Sequence, residues 1–140
     1  ETYLRSKAEL ENEMAVLLAG RAAEEVFFNE ITTGDANDLE KATGIARDMV
    51  TRFGFGQDLT TIAKMQNMYL RAETTYTCSP QTMYLADQQI ADLLETAYDK
   101  AVAILKQNST LHHKLTEHLL EHESIIGQEF QEILDREQAV

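Results

Sequence analysis

Residues 10–28 read LENEMAVLLAGRAAEEVFF, and their spacing decides the fold class. Leu10, Met14, Leu18, Ala22 and Val26 recur at every fourth position, with Leu17 and Ala23 beside them. One apolar ridge at that period predicts a helix of about 20 residues. It should stop near Phe28-Asn29. The small residues Gly20, Ala22 and Ala23 would let another helix approach closely.

The same period continues outward. After a connector, Glu30 to Gly34, the residues Leu39, Ala42, Ala46, Met49 and Phe53 are spaced by threes and fours, and Ile45 and Val50 widen the stripe. Asp35 is the expected N-cap of this second helix, and Asp35 and Asp38 place negative charge at its positive end. Gly54 suits the position just past its end. Residues 55–79 are the least periodic part and read as an irregular loop, of a length that is usually functional. Ser79-Pro80 is a strong helix start, with Ser as N-cap and Pro in the first turn. Leu85, Ile90, Leu93, Leu94, Ala97, Tyr98, Ala101, Ile104 and Leu105 follow on one helix that ends near Gln107-Asn108. Ser109-Thr110 opens a fourth helix through Leu111, Leu115, Leu119 and Leu120. Gly127 marks a break near a last helix bearing Phe130, Ile133 and Leu134. The expected fold is all-α, a compact bundle of about five helices. Residues 1–54 form a first helical part, 55–79 the loop, and 80–137 the C-terminal helices.

Composition bounds the function. The chain has 140 residues, with 12 Lys and Arg against 24 Asp and Glu, a net charge of −12. Such a charge repels phosphate, which argues against nucleic acid and against anionic membrane surfaces. No apolar run approaches the roughly 18–20 residues of a spanning helix. The one cysteine, Cys78, cannot form an internal disulfide, so the cytosolic side of a cell is the default. The chain opens at Glu1 with no signal-peptide pattern. It is therefore expected to be a soluble piece of a longer protein.

Several motifs could carry chemistry. His118-Leu119-Leu120-Glu121-His122 spells H-x-x-E-H, in which two His at i and i+4 can grip one zinc. It still needs a third ligand, for which Glu123, Glu129, Glu132 and Glu137 are the candidates, and a solvated helix face explains it more simply. His112-His113 point about 100° apart on a helix and form no ligand pair. Cys78 has no neighbouring His in sequence and reads as an incidental thiol. Asp38 sits in the first turn of a helix just after a tight Thr-Thr-Gly turn, where an acid serves the helix dipole or faces a ligand. Arg21, if buried, needs a carboxylate, and Glu24 or Glu25 could supply it.

Longer runs carry a resemblance. Residues 15–25, AVLLAGRAAEE, resemble the "LAVLLGGRAAEE" helix of the FtsH family. Thr32 to Thr43, TTGDANDLEKAT, resemble its "TTGASNDLxxAT". Ala46 to Gly54 are similar to "ARxMVTxxGMS", and Leu119 to Ile125 to "LLExETI". The resemblance covers nearly the whole chain, with residues 60–77 matching poorly.

It implies an ATP-dependent zinc metalloprotease, membrane-anchored and hexameric, that joins an AAA+ ATPase to a helical peptidase domain. The parent's peptidase domain would lie on the cytoplasmic or organellar-matrix side, and the membrane would be reached only through segments outside this chain. ATP and magnesium would belong to the parent's ATPase, and the substrates would be unfolded or damaged polypeptides. The family's zinc is held by two His of an HExxH helix and by the Asp of "ASND", which falls on Asp38. Its base is the Glu of HExxH. No HExxH occurs here, so no catalytic residue is expected within the chain. The resemblance implies a partial peptidase domain that supplies Asp38 as third zinc ligand, with Arg21, Glu24, Glu25, Gly34 and Asn37 as support. The alternative is a proteolytically inactive homologue, or an assembly module serving hexamer scaffolding. An unrelated acidic helical interaction domain is the third reading. Asp35 departs from the family's usual Ala and brings a second acid near the metal position.

Overall fold

A computed structural model describes residues 4–56, 64–66, 74–76, 78–108 and 122–138. The fold is all-α. Helix α1 spans Lys7–Ala23, α2 Ala36–Thr51, α3 Pro80–Lys106 and α4 His122–Gln138. The fourth helix expected from Ser109 lies outside the described residues, as do His112, His113, His118 and Glu121. Helix α4 runs unbroken through Gly127, where a break was expected.

Helix α1 begins where Ser6 accepts the amide proton of Glu9 at 3.1 Å. Such a cap satisfies one of the donors that a first turn leaves open. Helix α1 is the centre of the bundle and packs on α2, α3 and α4. Three neighbours leave no broad solvent face. Ala15 and Ala19 are accordingly buried along with the expected Leu10, Met14, Leu18, Ala22 and Ala23. The single stripe read from the sequence is one of two buried faces. Alanine suits the second because it lets neighbouring backbones come close while costing no side-chain entropy.

Helix α2 buries Ala42, Ala46, Met49 and Val50 against α1 and α3. The two ends of its expected stripe are open instead: Leu39 is 37% exposed and Phe53 48%. The apolar ridge is longer than the surface of α1 available to cover it. Past α2, the Phe53 and Phe55 amides donate to the carbonyls of Asp48 and Met49, and Gly54 bridges them at φ +68°. A Cβ is disfavoured in that region by roughly 1 kcal/mol. Gly54→Ala should therefore cost about 1 kcal/mol in urea unfolding without altering the helical circular dichroism.

Ser79 caps α3 as expected, accepting the Thr82 amide at 3.2 Å. Ile90, Ala97, Ala101, Ile104 and Leu105 face the core. Leu85, placed in the stripe by spacing, is exposed near the start of the helix. From α4, Phe130, Ile133 and Leu134 close the core.

Within residues 55–79, read from the sequence as a loop, Lys64–Gln66 (β1) pairs antiparallel with Thr74–Tyr76 (β2). The register sets Lys64 opposite Tyr76 and Gln66 opposite Thr74. Thr and Tyr favour extended backbone, but three-residue strands are too short to show a period of two.

Candidate metal-ligand site

The site lies where α1 hands the chain to α2. After Ala23 the helix widens into a π turn over Glu24–Phe28. It stops at Asn29, which takes φ +50° and donates its amide to the Glu24 carbonyl. Asn is among the few residues that enter this region readily. Single π turns inside helices recur at functional positions.

The Glu24 carboxylate, 5% exposed, folds onto the connector. It accepts the Thr32 hydroxyl at 2.7 Å and the Thr32 amide at 3.1 Å. Thr32 in turn caps the next turn, accepting the Gly34 amide on Oγ1 at 3.3 Å. Thr33–Asp35 form one 3₁₀ turn that feeds directly into α2. One buried acid thus organises the whole passage. Hydrogen bonds to a charged group contribute about 1.5–3 kcal/mol. Glu24→Ala should destabilise the chain by roughly that amount in chemical denaturation, whereas Glu25→Ala, at an exposed position, should cost far less.

The residues singled out from the sequence divide clearly. Asp38 stands in the first turn of α2, partly exposed. It makes no hydrogen bond or ion pair with another described residue. Asn37 beside it is exposed, as is Gly34 in the turn. Arg21 pairs with neither Glu24 nor Glu25 among the described residues. Glu24 is engaged by Thr32, and Glu25 accepts the Tyr98 hydroxyl from α3. Arg21 is only partly buried, so it has no need of a carboxylate. Asp35 occupies the N-cap position of α2 but caps nothing with its side chain. Its carboxylate is 4% exposed and lies against Gly20 of α1. Gly20 therefore admits a carboxylate, where the sequence suggested a helix.

Beside Asp38 in sequence, Leu39 lines a cavity of about 360 Å³ together with Leu18, Ile31, Leu94 and Tyr98. Arg21 and Glu25 stand at the same cavity. A larger one, about 510 Å³, lies at the far end of α2 between Leu4, Leu10, Ile45, Phe53 and Phe55. It is apolar apart from Arg5 and Asp48, and holds none of the candidate residues.

A catalytic zinc takes three protein ligands and keeps one position open. Asp38 fits as one oxygen donor, since its carboxylate has no partner among the described residues and is partly exposed. Among the described residues no three His, Cys, Asp or Glu side chains converge. The described residues therefore do not complete such a site by themselves.

The family model of Peptidase family M41 matches residues 1–133. A relative from Clostridium perfringens, "ATP-dependent zinc metalloprotease FtsH", is 42% identical over 136 residues, which is 96% of this chain and 19% of the relative. One of the same name from Lancefieldella parvula is 41% identical over 139 residues, 98% of this chain and 22% of the relative. "ATP-dependent zinc metalloprotease FtsH 1" from Methylacidiphilum infernorum is 38% identical over 139 residues, 96% of this chain and 22% of the relative. The chain thus spans about one fifth of the length of the curated relatives it matches.

Proposed function

Because the chain belongs to peptidase family M41, we propose that it forms the C-terminal part of the peptidase domain of an ATP-dependent zinc metalloprotease, and that Asp38 is the third zinc ligand. The observation that carries this reading is the state of Asp38. Its carboxylate has no hydrogen-bond or ion-pair partner among the described residues, and the turn before it is tied to the π turn after α1 through Glu24 and Thr32. An acid so placed on a rigid mount suits a ligand better than it suits a stabilising ion pair.

In this reading the division of labour follows from the donors among the described residues and from a sequence without HExxH. The chain presents the Asp38 oxygen and the helical body behind it. The two further ligands and the base belong to the part of the parent that carries that motif. Bound zinc polarises a carbonyl and lowers the pKa of a coordinated water. The part of this chain is to hold Asp38 still. Glu24 does so through Thr32, and Tyr98 ties the π turn to α3 through Glu25. The substrates proposed are unfolded or damaged polypeptides, delivered by an ATPase in a membrane-anchored hexamer. Among the described residues no helix is long and apolar enough to cross a membrane, so in this reading the anchor lies elsewhere in the parent.

The test is zinc titration of the 140-residue chain beside the full-length protein that carries it. The full-length protein should bind one zinc per chain and cleave casein. The isolated chain should bind none at submicromolar free zinc and cleave nothing. Tight stoichiometric zinc on the isolated chain would overturn the proposal. A full-length protein that binds no zinc would leave a scaffold in its place.

A further inference from the structure

The Asp35 carboxylate is the buried acid that the proposed zinc site does not use. An acid at 4% exposure needs a reason, since carboxylates are almost never fully buried unless held. Asp35 stands at the N-cap of α2 without making a side-chain cap hydrogen bond. The notable contact is with α1. Asp35 Oδ1 sits so close over Gly20 that a Cβ on that residue would stand 2.9 Å from it. Real Cβ atoms essentially never come that near, so only glycine leaves the notch open.

The notch has a partner. Gly20 and Glu24 are four residues apart and lie on one face of the helix. Glu24 holds Thr32, where the passage begins, and Gly20 receives Asp35, where it ends. The four-residue passage thus meets α1 at both ends, through a hydrogen bond at Thr32 and a close approach at Asp35. The body of α2 is held by its packing on α1 and α3, and the approach at Asp35 bears on its first turn. Asp38 follows Asp35 by three residues, within one turn of α2, so the two share a side of the helix. Any movement of Asp35 in the notch is carried to Asp38 almost undiminished.

We propose that Asp35 is a positioning residue for the metal site: its carboxylate, seated in the Gly20 notch, sets the rotation of the first turn of α2 and hence the direction in which Asp38 meets the metal. This inference rests on Asp38 being a zinc ligand. The tolerance of such a site is small. Metal–ligand distances hold within about 0.2 Å, and a supporting shell loose by about 1 Å is enough to spoil a site.

The experiment compares the full-length protease with its Gly20→Ala, Asp35→Ala, Asp35→Asn, Gly20→Ala/Asp35→Ala and Asp38→Ala variants. Zinc affinity is read by chelator competition, and the visible absorption of the cobalt-substituted protein reports ligand geometry. Melting temperature is followed in parallel. Gly20→Ala should displace the carboxylate, weaken zinc binding roughly 10–100-fold and change the cobalt spectrum. Asp35→Ala should weaken zinc about tenfold, and Asp35→Asn, which keeps the shape, should stay within about threefold of the parent. The double variant should bind no worse than Asp35→Ala, because the methyl then has nothing to strike. Losses that simply add in the double variant would overturn the inference. So would variants that melt earlier yet bind zinc and absorb as the parent does, since the contact would then be structural only. Asp38→Ala separates the two levels. If it abolishes tight zinc binding while the notch variants leave binding intact, the notch inference alone fails. If it leaves zinc in place, the ligand assignment fails and the inference falls with it.

Discussion

Asp38→Ala in the full-length protease should abolish proteolysis while leaving the fold intact. Asp38 lies partly exposed in the first turn of α2 and touches no other described residue through a hydrogen bond or ion pair. Its removal therefore leaves no buried group unsatisfied. Loss of a favourable acid at a helix N-terminus costs about 0.3–1 kcal/mol, a shift of a few degrees in melting temperature at most. The effect on chemistry is of another order. Changes to groups that merely support a metal ligand typically cost 10–100-fold, and loss of the ligand itself should exceed that. Casein cleavage falling by more than about 100-fold, with zinc released and ATP hydrolysis retained, is the expected pattern. Asp38→Asn should fall close behind, since a neutral amide oxygen is a poorer partner for a dication than a carboxylate. Wild-type cleavage by either variant would refute the assignment.

The largest expected effect on stability lies in α4. Phe130 of α4 is fully buried and among the largest side chains sealed in the core. Truncating such a ring removes its transfer free energy and leaves a void that a packed bundle fills only partly. Phe130→Ala should cost about 3–5 kcal/mol. In a domain near this size that lowers the melting temperature by roughly 10 °C or more. Helix α4 packs on α1, the helix that carries Gly20. In the full-length protease, zinc affinity should weaken only as the variant approaches its melting range. An early melt with unchanged affinity at low temperature would mark the residue as structural. Phe130→Leu should recover more than half of the lost stability, because most of the volume returns.

The helices were legible from local signals. Ser79 and Pro80 mark a start, and the ridge from Leu10 to Ala22 and the run from Ile90 to Leu105 mark buried faces. Exposure at the ends was less legible. Leu39, Phe53 and Leu85 obey the helical period yet lie open, because periodicity tells which face is apolar and not how far the neighbouring helix extends. The short β1–β2 pairing was hidden for a related reason, as three residues cannot establish a period.

At the site, the candidate Asp38 came from a turn signal and a family motif. Its mounting did not. Glu24 meets Thr32 across eight residues, and Asp35 meets Gly20 across fifteen of sequence and two separate elements. The expected Arg21 pairing followed the nearest opposite charges along a helix. In the folded chain Arg21 reaches solvent, while Glu24 has a closer donor in Thr32. One clue was present in the sequence. A glycine inside an apolar helical run costs about 1 kcal/mol against alanine, so Gly20 called for a packing reason.

What the amino-acid order determined by itself is therefore the helical architecture, the acidic surface and the M41 character of the chain, because these follow from residue type and short-range spacing. Only the tertiary structure decided which acid is free and which are committed. Asp38, Asp35 and Glu24 are chemically alike and lie within fifteen residues. They differ in what the fold sets against them: Thr32 on Glu24, Gly20 beside Asp35, and for Asp38 no hydrogen-bonding partner among the described residues. Burial and partners are properties of the packed molecule, and they are what separate the proposed ligand from its proposed supports.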